Sequence, residues 1–257
     1  MFKDNDYYVG GIVDGVTFGY SKRLKGVSQF PNESLNLALY IKDELENVHE
    51  NQLRLGNTIN FQPADWVSPI QTHGNEVRVV TIADRGKNIA ALGKSLKGVD
   101  GVFTYDENVL LTMNYADCVP VYVYSRKNNF VGLAHAGWKG TSGRITQRLI
   151  ESYDGELEDL AVLIGPAINH DAYEVDDRVI DRLRDVGLDD TCFTQTESGY
   201  QLDLKQLNKL QAMNIGIDES QIFVSDLGTE DTSQFFSYRV EGGKTGRAVA
   251  FIGRKSN

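Results

Sequence analysis

The stretch from Asp100 to Ala134 limits the possible folds of this chain more than any other. Four strand-like runs, Gly101–Thr104, Val109–Met113, Val119–Tyr124 and Phe130–Ala134, follow one another with only short joints between them. The polar joint Ser125–Asn129 is long enough to close a hairpin. A parallel crossover needs a dozen residues or more, usually a helix, and no such helix separates these runs. That favours a two-sheet sandwich over a doubly wound sheet.

The flanking sequence adds helices to this β-rich centre. Tyr8–Tyr20, punctuated by glycines, reads as an opening hairpin or edge strand. Further short strands are expected at Val67–Ile70, Val77–Ile82, Leu160–Ile164, Ile222–Ser225, Phe235–Tyr238 and Ala248–Gly253. Apolar spacing predicts helices over Leu39–Leu55, from the glycine cluster after His135 to about Tyr153, and over Asp176–Val186. Another helix follows Asp203, a plausible N-cap. With no linker or internal repeat in its 257 residues, the chain is expected to be one domain, 1–257: an α/β (α+β) layered sandwich of mixed sheets covered by helices.

Charge and cysteine content narrow the function classes. Lys and Arg total 26 against 36 Asp and Glu, a formal charge of −10, which disfavours a generic grip on nucleic acid or an anionic membrane. A small anion in a local pocket remains open. The N-terminal residues have no apolar core of a signal peptide, and Val109–Tyr124 is too short and polar to span a bilayer. Two cysteines make no disulfide framework, so a reducing, cytoplasmic setting is expected.

Chemistry concentrates at three strand ends. His73 sits in the polar turn Gln71-Thr72-His73-Gly74, Cys118 follows Asp117 between two β runs, and His135 closes the run beginning at Phe130. Imidazole and thiolate are donors that Zn²⁺ favours, and a Cys/His₂ set leaves one tetrahedral position open. The spacing matches no structural zinc finger, and the residues alone also allow a buried, inert Cys118 and hydrogen-bonded turn histidines. After His135, the run Ala136-Gly137-Trp138-Lys139-Gly140 offers close backbone approach, an aromatic face and a cation. His49, His170 and Cys192 read as surface or packing residues. Arg239 and Arg247 are within reach of a ligand but read more simply as strand-end ion pairs.

The motifs Gln71-Thr72-His73-Gly74, Tyr115-Ala116-Asp117-Cys118-Val119-Pro120-Val121 and Ala134-His135-Ala136-Gly137-Trp138-Lys139-Gly140 resemble those of the multicopper polyphenol oxidase/laccase-domain family. The likeness continues through Ser34–Leu37, Gly165-Pro166, Tyr173–Val175, Leu202–Leu204, Phe235–Arg239 and Lys244–Arg247. Members of that family are also described as purine nucleoside phosphorylases with adenosine deaminase activity. The resemblance implies a cysteine hydrolase-like fold and one metal ion, zinc or alternatively copper, held by His73, Cys118 and His135. It further implies phosphorolysis of adenosine, inosine and 5′-methylthioadenosine, and deamination of adenosine. Purine nucleosides and inorganic phosphate are then the partners, with no nucleic acid or membrane, and the chain is a monomer or homo-oligomer.

In that reading Cys118, His135, Asp117 and Lys139 are the catalytic candidates. Asp117 is either the acid that protonates the departing amine or a carboxylate that holds a ligand histidine. Lys139 and Arg54 are anion candidates, Asn36 and Gln71 would orient base or sugar, and Trp138 would face the substrate. Three departures stand out: Leu227-Gly228-Thr229 lacks a cysteine usual there, Gln52 follows Asn51 where arginine is common, and Val240 follows Arg239 where a second arginine is common. The alternatives are copper-dependent polyphenol oxidation, a metal-free hydrolase with Cys118 as nucleophile and His135 as base, and a non-enzymatic metal-binding protein.

Overall fold

The computed structural model describes residues 1–256. In chain order the elements are β1 (Lys3–Asp4), β2 (Tyr8–Val13), β3 (Val16–Ser21), α1 (Leu45–Ile59), β4 (Trp66–Val67), β5 (Val77–Val79), β6 (Gly101–Thr104), β7 (Val109–Tyr115), β8 (Val119–Ser125) and β9 (Val131–Ala136). They continue with α2 (Trp138–Ser142), α3 (Ile145–Ile150), β10 (Leu160–Ile164), β11 (Glu174–Val175), α4 (Asp177–Arg184), β12 (Phe193–Gln195), β13 (Tyr200–Leu202), α5 (Leu204–Asn214), β14 (Ile222–Val224) and β15 (Ala248–Arg254). Two six-stranded sheets form, ordered β1-β2-β3-β15-β7-β4 and β14-β10-β8-β9-β6-β5, with a small third sheet β11-β13-β12. The pairing is mixed: β8 and β9, joined by the Ser125–Asn129 turn, pair antiparallel, as do β6 with β9 and β10 with β8, while β4, β5 and β14 add parallel edges and β7 crosses to the other sheet to pair with β15 and β4.

The two large sheets face each other, and the period-2 alternation of their strands fills both sides. Along β8, Val119, Val121 and Val123 point to the helices α3, α4 and α5, whereas Tyr122 and Tyr124 point to the other sheet. Buried on both faces, such a strand reads as an unbroken apolar run, and this one does. Each of these valines contributes roughly 1.5–3 kcal/mol by leaving water. The hydroxyls of these two tyrosines are satisfied across the core, Tyr122 donating to the Gly19 carbonyl at 2.9 Å and Tyr124 to the Asp14 carboxylate at 3.1 Å. Helix α1 covers the outer face of the first sheet through Leu55 and Ile59 against Trp66, Leu110 and Phe251. The result is helix, sheet, sheet, helix, and among the described residues no helix is long and apolar enough to cross a membrane.

Several expected elements differ. The first helix starts at Leu45 rather than Leu39, because Asn36 and Asn32 side chains bond Asp43 and the Lys42 carbonyl and hold the preceding segment as a loop. The helix expected to run to Tyr153 is two short ones, broken at Gly143 and at Arg144, whose φ is 59°. Phe235–Tyr238 is not a strand: Phe235 N–H donates to the Asp231 carbonyl and Ser237 N–H to the Glu241 carboxylate, so the backbone is satisfied by turns and side chains. The third sheet has strands of two or three residues, too short for a periodicity to announce. Asp203 does cap α5, accepting from Gln206 N–H at 2.8 Å.

Candidate metal centre and cavity

One end of the inter-sheet space is where the three soft donors meet. His135 shares the inward face of β9 with Val131 and Leu133, so its ring enters the space between the sheets and meets Tyr115 at 5.2 Å between centroids. Cys118 precedes β8 on the same side as Tyr122. His73 comes from the loop between β4 and β5 in the left-handed region, φ 60°, and stands edge-on to His135 at 4.8 Å. One ligand atom from each of the three lies within 4.8 Å of the others.

Asp100 holds this arrangement together. It is fully buried just before β6 and accepts backbone N–H bonds from Thr72 (3.1 Å), His73 (3.0 Å) and Gly74 (2.8 Å). A carboxylate in this cradle of successive N–H groups fixes the unusual backbone at His73. Its Oδ1 also lies 3.0 Å from His135 Nδ1, and its carbonyl accepts the His135 N–H at 2.8 Å. With Nδ1 donating to Asp100, the Nε2 lone pair is turned toward the cluster, the usual arrangement for a ligand histidine. Burial alone would raise the Asp100 carboxyl, but the bonds from His135, Gly74 and Thr72 outweigh it and hold the group below the ordinary carboxylate range. Burial likewise works against the Cys118 thiolate, yet the two neighbouring imidazoles outweigh it and bring the thiol down.

These donors fit a metal ion of zinc type: two imidazole nitrogens and one thiolate, an orienting carboxylate behind, and an open side. Gly137 keeps that space clear. A Cβ there would stand 2.7 Å from Cys118 Sγ and 3.6 Å from a His73 ring carbon. Gly137→Ala is therefore expected to push the sulfur off the imidazoles and lower bound metal per chain at least tenfold, by analogy with the 10–100-fold effects of disturbing ligand support. Elemental analysis of protein with an unchanged circular dichroism spectrum checks this.

The open side faces a cavity of about 670 Å³, inside the roughly 300–1,000 Å³ range of small-molecule sites. His73, Cys118, His135, Asp117, Gln71 and Trp138 all line it. Lys139 is exposed with its ammonium 5.5 Å from the Trp138 ring centroid, and Arg54 pairs with Glu50 and the Lys25 carbonyl; neither lines the cavity. Asn36 is buried behind the wall, where its Oδ1 accepts the Arg247 N–H at 3.1 Å. Asp117 does not hold a histidine: its oxygens accept from the Thr229 hydroxyl (2.7 Å) and the Arg239 N–H (2.9 Å). Thr229, in the segment lacking the usual cysteine, is thus buried support for Asp117.

Residues that the sequence undervalued complete the wall. Arg239 and Arg247 line the cavity, 5.1 Å from the Tyr173 ring and 5.4 Å from the Tyr238 ring. Neither forms an ion pair with a carboxylate among the described residues. The signal available for them was the family likeness, two of whose fragments, Phe235–Arg239 and Lys244–Arg247, end on these arginines.

The family model for multi-copper polyphenol oxidoreductase laccase matches residues 17–255. The chain belongs to this laccase family. Among relatives, a Staphylococcus saprophyticus protein named a purine nucleoside phosphorylase is 46% identical over 242 residues, covering 93% of this chain and 92% of the relative. Purine nucleoside phosphorylase YlmD of Staphylococcus aureus is 41% identical over 244 residues, with 94% and 92% covered. The crystal structure of YlmD from Geobacillus stearothermophilus superposes with a TM-score of 0.95 at 36% identity, covering 99% of both chains. The described residues of this laccase-family member form a mixed α/β architecture of three sheets and five α-helices that matches this solved structure.

Proposed function

We propose that the chain is a zinc-dependent purine nucleoside phosphorylase that acts on adenosine, inosine and 5′-methylthioadenosine and also deaminates adenosine. The observation that carries this reading is the meeting, in one cavity, of a three-donor cluster with two arginines that have N–H groups to spare. The names of the relatives support the substrate class. His73, Cys118 and His135 would hold the ion, which supplies Lewis acidity on the open side of the cluster when bound.

Phosphorolysis breaks the C1′–N9 bond, forms a C1′–O bond to phosphate and releases ribose 1-phosphate and the free base. Positive charge gathers on the ribose as the bond breaks, so a phosphate held beside C1′ both stabilises that charge and attacks. Arg239 and Arg247 suit this task, because the planar guanidinium fork matches phosphate oxygens. They take the anion role in place of Lys139 and Arg54, which lie outside the cavity lining. Asp117 accepts one hydrogen bond at each oxygen and keeps lone pairs free to orient a sugar hydroxyl. Trp66 and Trp138 offer aromatic walls to the base.

Protein as purified, given adenosine and phosphate, is expected to yield adenine and ribose 1-phosphate; without phosphate it yields inosine. Chelation stops both reactions and zinc restores them. Absence of base release from all three nucleosides overturns the phosphorylase reading, and absence of inosine overturns the deaminase part alone. The metal-free hydrolase makes a contrary prediction. A metal-held Cys118 resists iodoacetamide until a chelator is added, whereas rapid alkylation of untreated protein favours a free nucleophile. Copper-dependent polyphenol oxidation ranks lower, since His73, Cys118 and His135 form the single such donor cluster among the described residues, not a multi-copper array.

A further inference from the structure

We propose that the side-chain amide of Asn114 reads the six-position edge of the purine ring, making it a specificity-determining residue of the reaction proposed above, on which this inference rests. Leu111, Met113 and Tyr115 of β7 point into the inter-sheet core, whereas Thr112 and Asn114 alternate to the opposite face and line the cavity. The Asn114 backbone is clamped: its N–H donates to Gln71 Oε1 and its carbonyl accepts from Gln71 Nε2, both at 2.9 Å. Gln71, the residue expected to orient base or sugar, thus has both ends of its amide on main chain and acts by fixing Asn114.

The neighbouring polar side chains are likewise engaged. Thr112 donates to the Val67 carbonyl, and the Asn88 amide bonds the Ser68 and Ser95 carbonyls and the Gly93 N–H. Asn114 differs. Its Oδ1 is sealed from solvent and has no hydrogen-bond partner among the described residues. A buried amide oxygen without a partner destabilises the protein, and a ligand satisfies it only when the amide turns to bring that oxygen out of its sealed position. Rotation about χ2, a broad torsion, turns either end toward the cavity.

The amide carries one donor end and one acceptor end, and so does each natural purine edge. Adenine presents N6–H beside the N1 acceptor, and hypoxanthine presents N1–H beside the O6 acceptor. Exchanging the two ends of the amide matches either pair. One asparagine therefore accepts 6-amino and 6-oxo purines alike, while Trp66, Ile89 and Val249 supply apolar surface around it.

The test compares kcat/KM for inosine and adenosine with that for purine riboside, which has no six-substituent, in wild type and in Asn114→Leu and Asn114→Ala. Intrinsic differences in bond lability cancel in the ratio of ratios. Wild type is expected to favour the substituted nucleosides by about tenfold or more, and both variants to lose that preference to within about twofold. An unchanged preference in either folded variant, or none in wild type, overturns the proposal. If wild type cleaves no nucleoside, the phosphorylase reading has failed. Tryptophan fluorescence titration with free adenine, hypoxanthine and purine then decides separately: a wild-type preference for the first two that Asn114→Leu abolishes upholds the role of Asn114, and equal binding of all three overturns it.

Discussion

Replacing Asp100 with alanine is expected to weaken metal binding about 10–100-fold and to lower the Tm of the metal-free protein by roughly 10 °C. Both effects come from one buried carboxylate serving both histidines of the candidate metal cluster. Removing it strands the Thr72, His73 and Gly74 N–H groups and leaves His135 Nδ1 without its acceptor. Breaking one partner out of a buried charged network costs about 3–5 kcal/mol, and at this chain length each kcal/mol moves Tm by roughly 2–4 °C. The His73 loop then has nothing to hold its left-handed backbone, and the His135 ring loses the bond that fixes its tautomer. Asp100→Asn keeps an acceptor but puts an NH₂ against either the loop N–H groups or His135, so its losses should fall between wild type and alanine. Zinc titration with a competing chelator and a thermal melt of the apo-protein read the two effects independently. Wild-type zinc affinity in Asp100→Ala would remove the carboxylate from this role.

The parts of the fold legible in the sequence were those where one physical pattern acts alone. The strands from Gly101 to Ala136 are apolar on both faces and joined by short polar turns, and α5 begins at an aspartate that caps it. Tertiary demands hid the rest. Residues 35–44 carry the apolar Leu35, Leu37 and Leu39, yet Asn36 and Asn51 hold the segment in irregular form by bonding its backbone. Phe235 and Phe236 are buried as a strand would bury them, but in turns that bring Arg239 to Asp117. At the site, His73, Cys118 and His135 stood out because soft donors are few in this chain. Asp100 did not, because one aspartate before a strand looks like any other until the loop it caps is folded around it. Asn114 was hidden for the same reason: that its Oδ1 has no partner among the described residues is something only the structure can display.

Arg247→Met and Arg239→Met are each expected to raise the phosphate KM about 10–100-fold, the cost of about 1.5–3 kcal/mol for a lost charge-assisted hydrogen bond. The structure keeps both guanidiniums at the cavity wall by neutral contacts. Arg247 Nη1 donates to the Thr245 and Gly246 carbonyls at 2.7 and 2.9 Å, and Arg239 Nη1 donates to the Glu174 carbonyl at 2.7 Å. Carbonyls fix the fork without cancelling its charge, so the remaining N–H groups stay available to an anion, which a carboxylate partner would have displaced. Methionine preserves the stem that packs by Tyr238 or Tyr173 and removes only the charge and donors. Lysine at either position restores the charge but not the planar fork, and should recover part of the loss. Deamination consumes water rather than phosphate, so its rate in the same variants is the internal control. Loss of phosphorolysis with deamination retained places the arginines on phosphate, whereas equal loss of both reactions assigns them to the nucleoside instead. A phosphate KM within twofold of wild type in both variants would leave the anion site elsewhere.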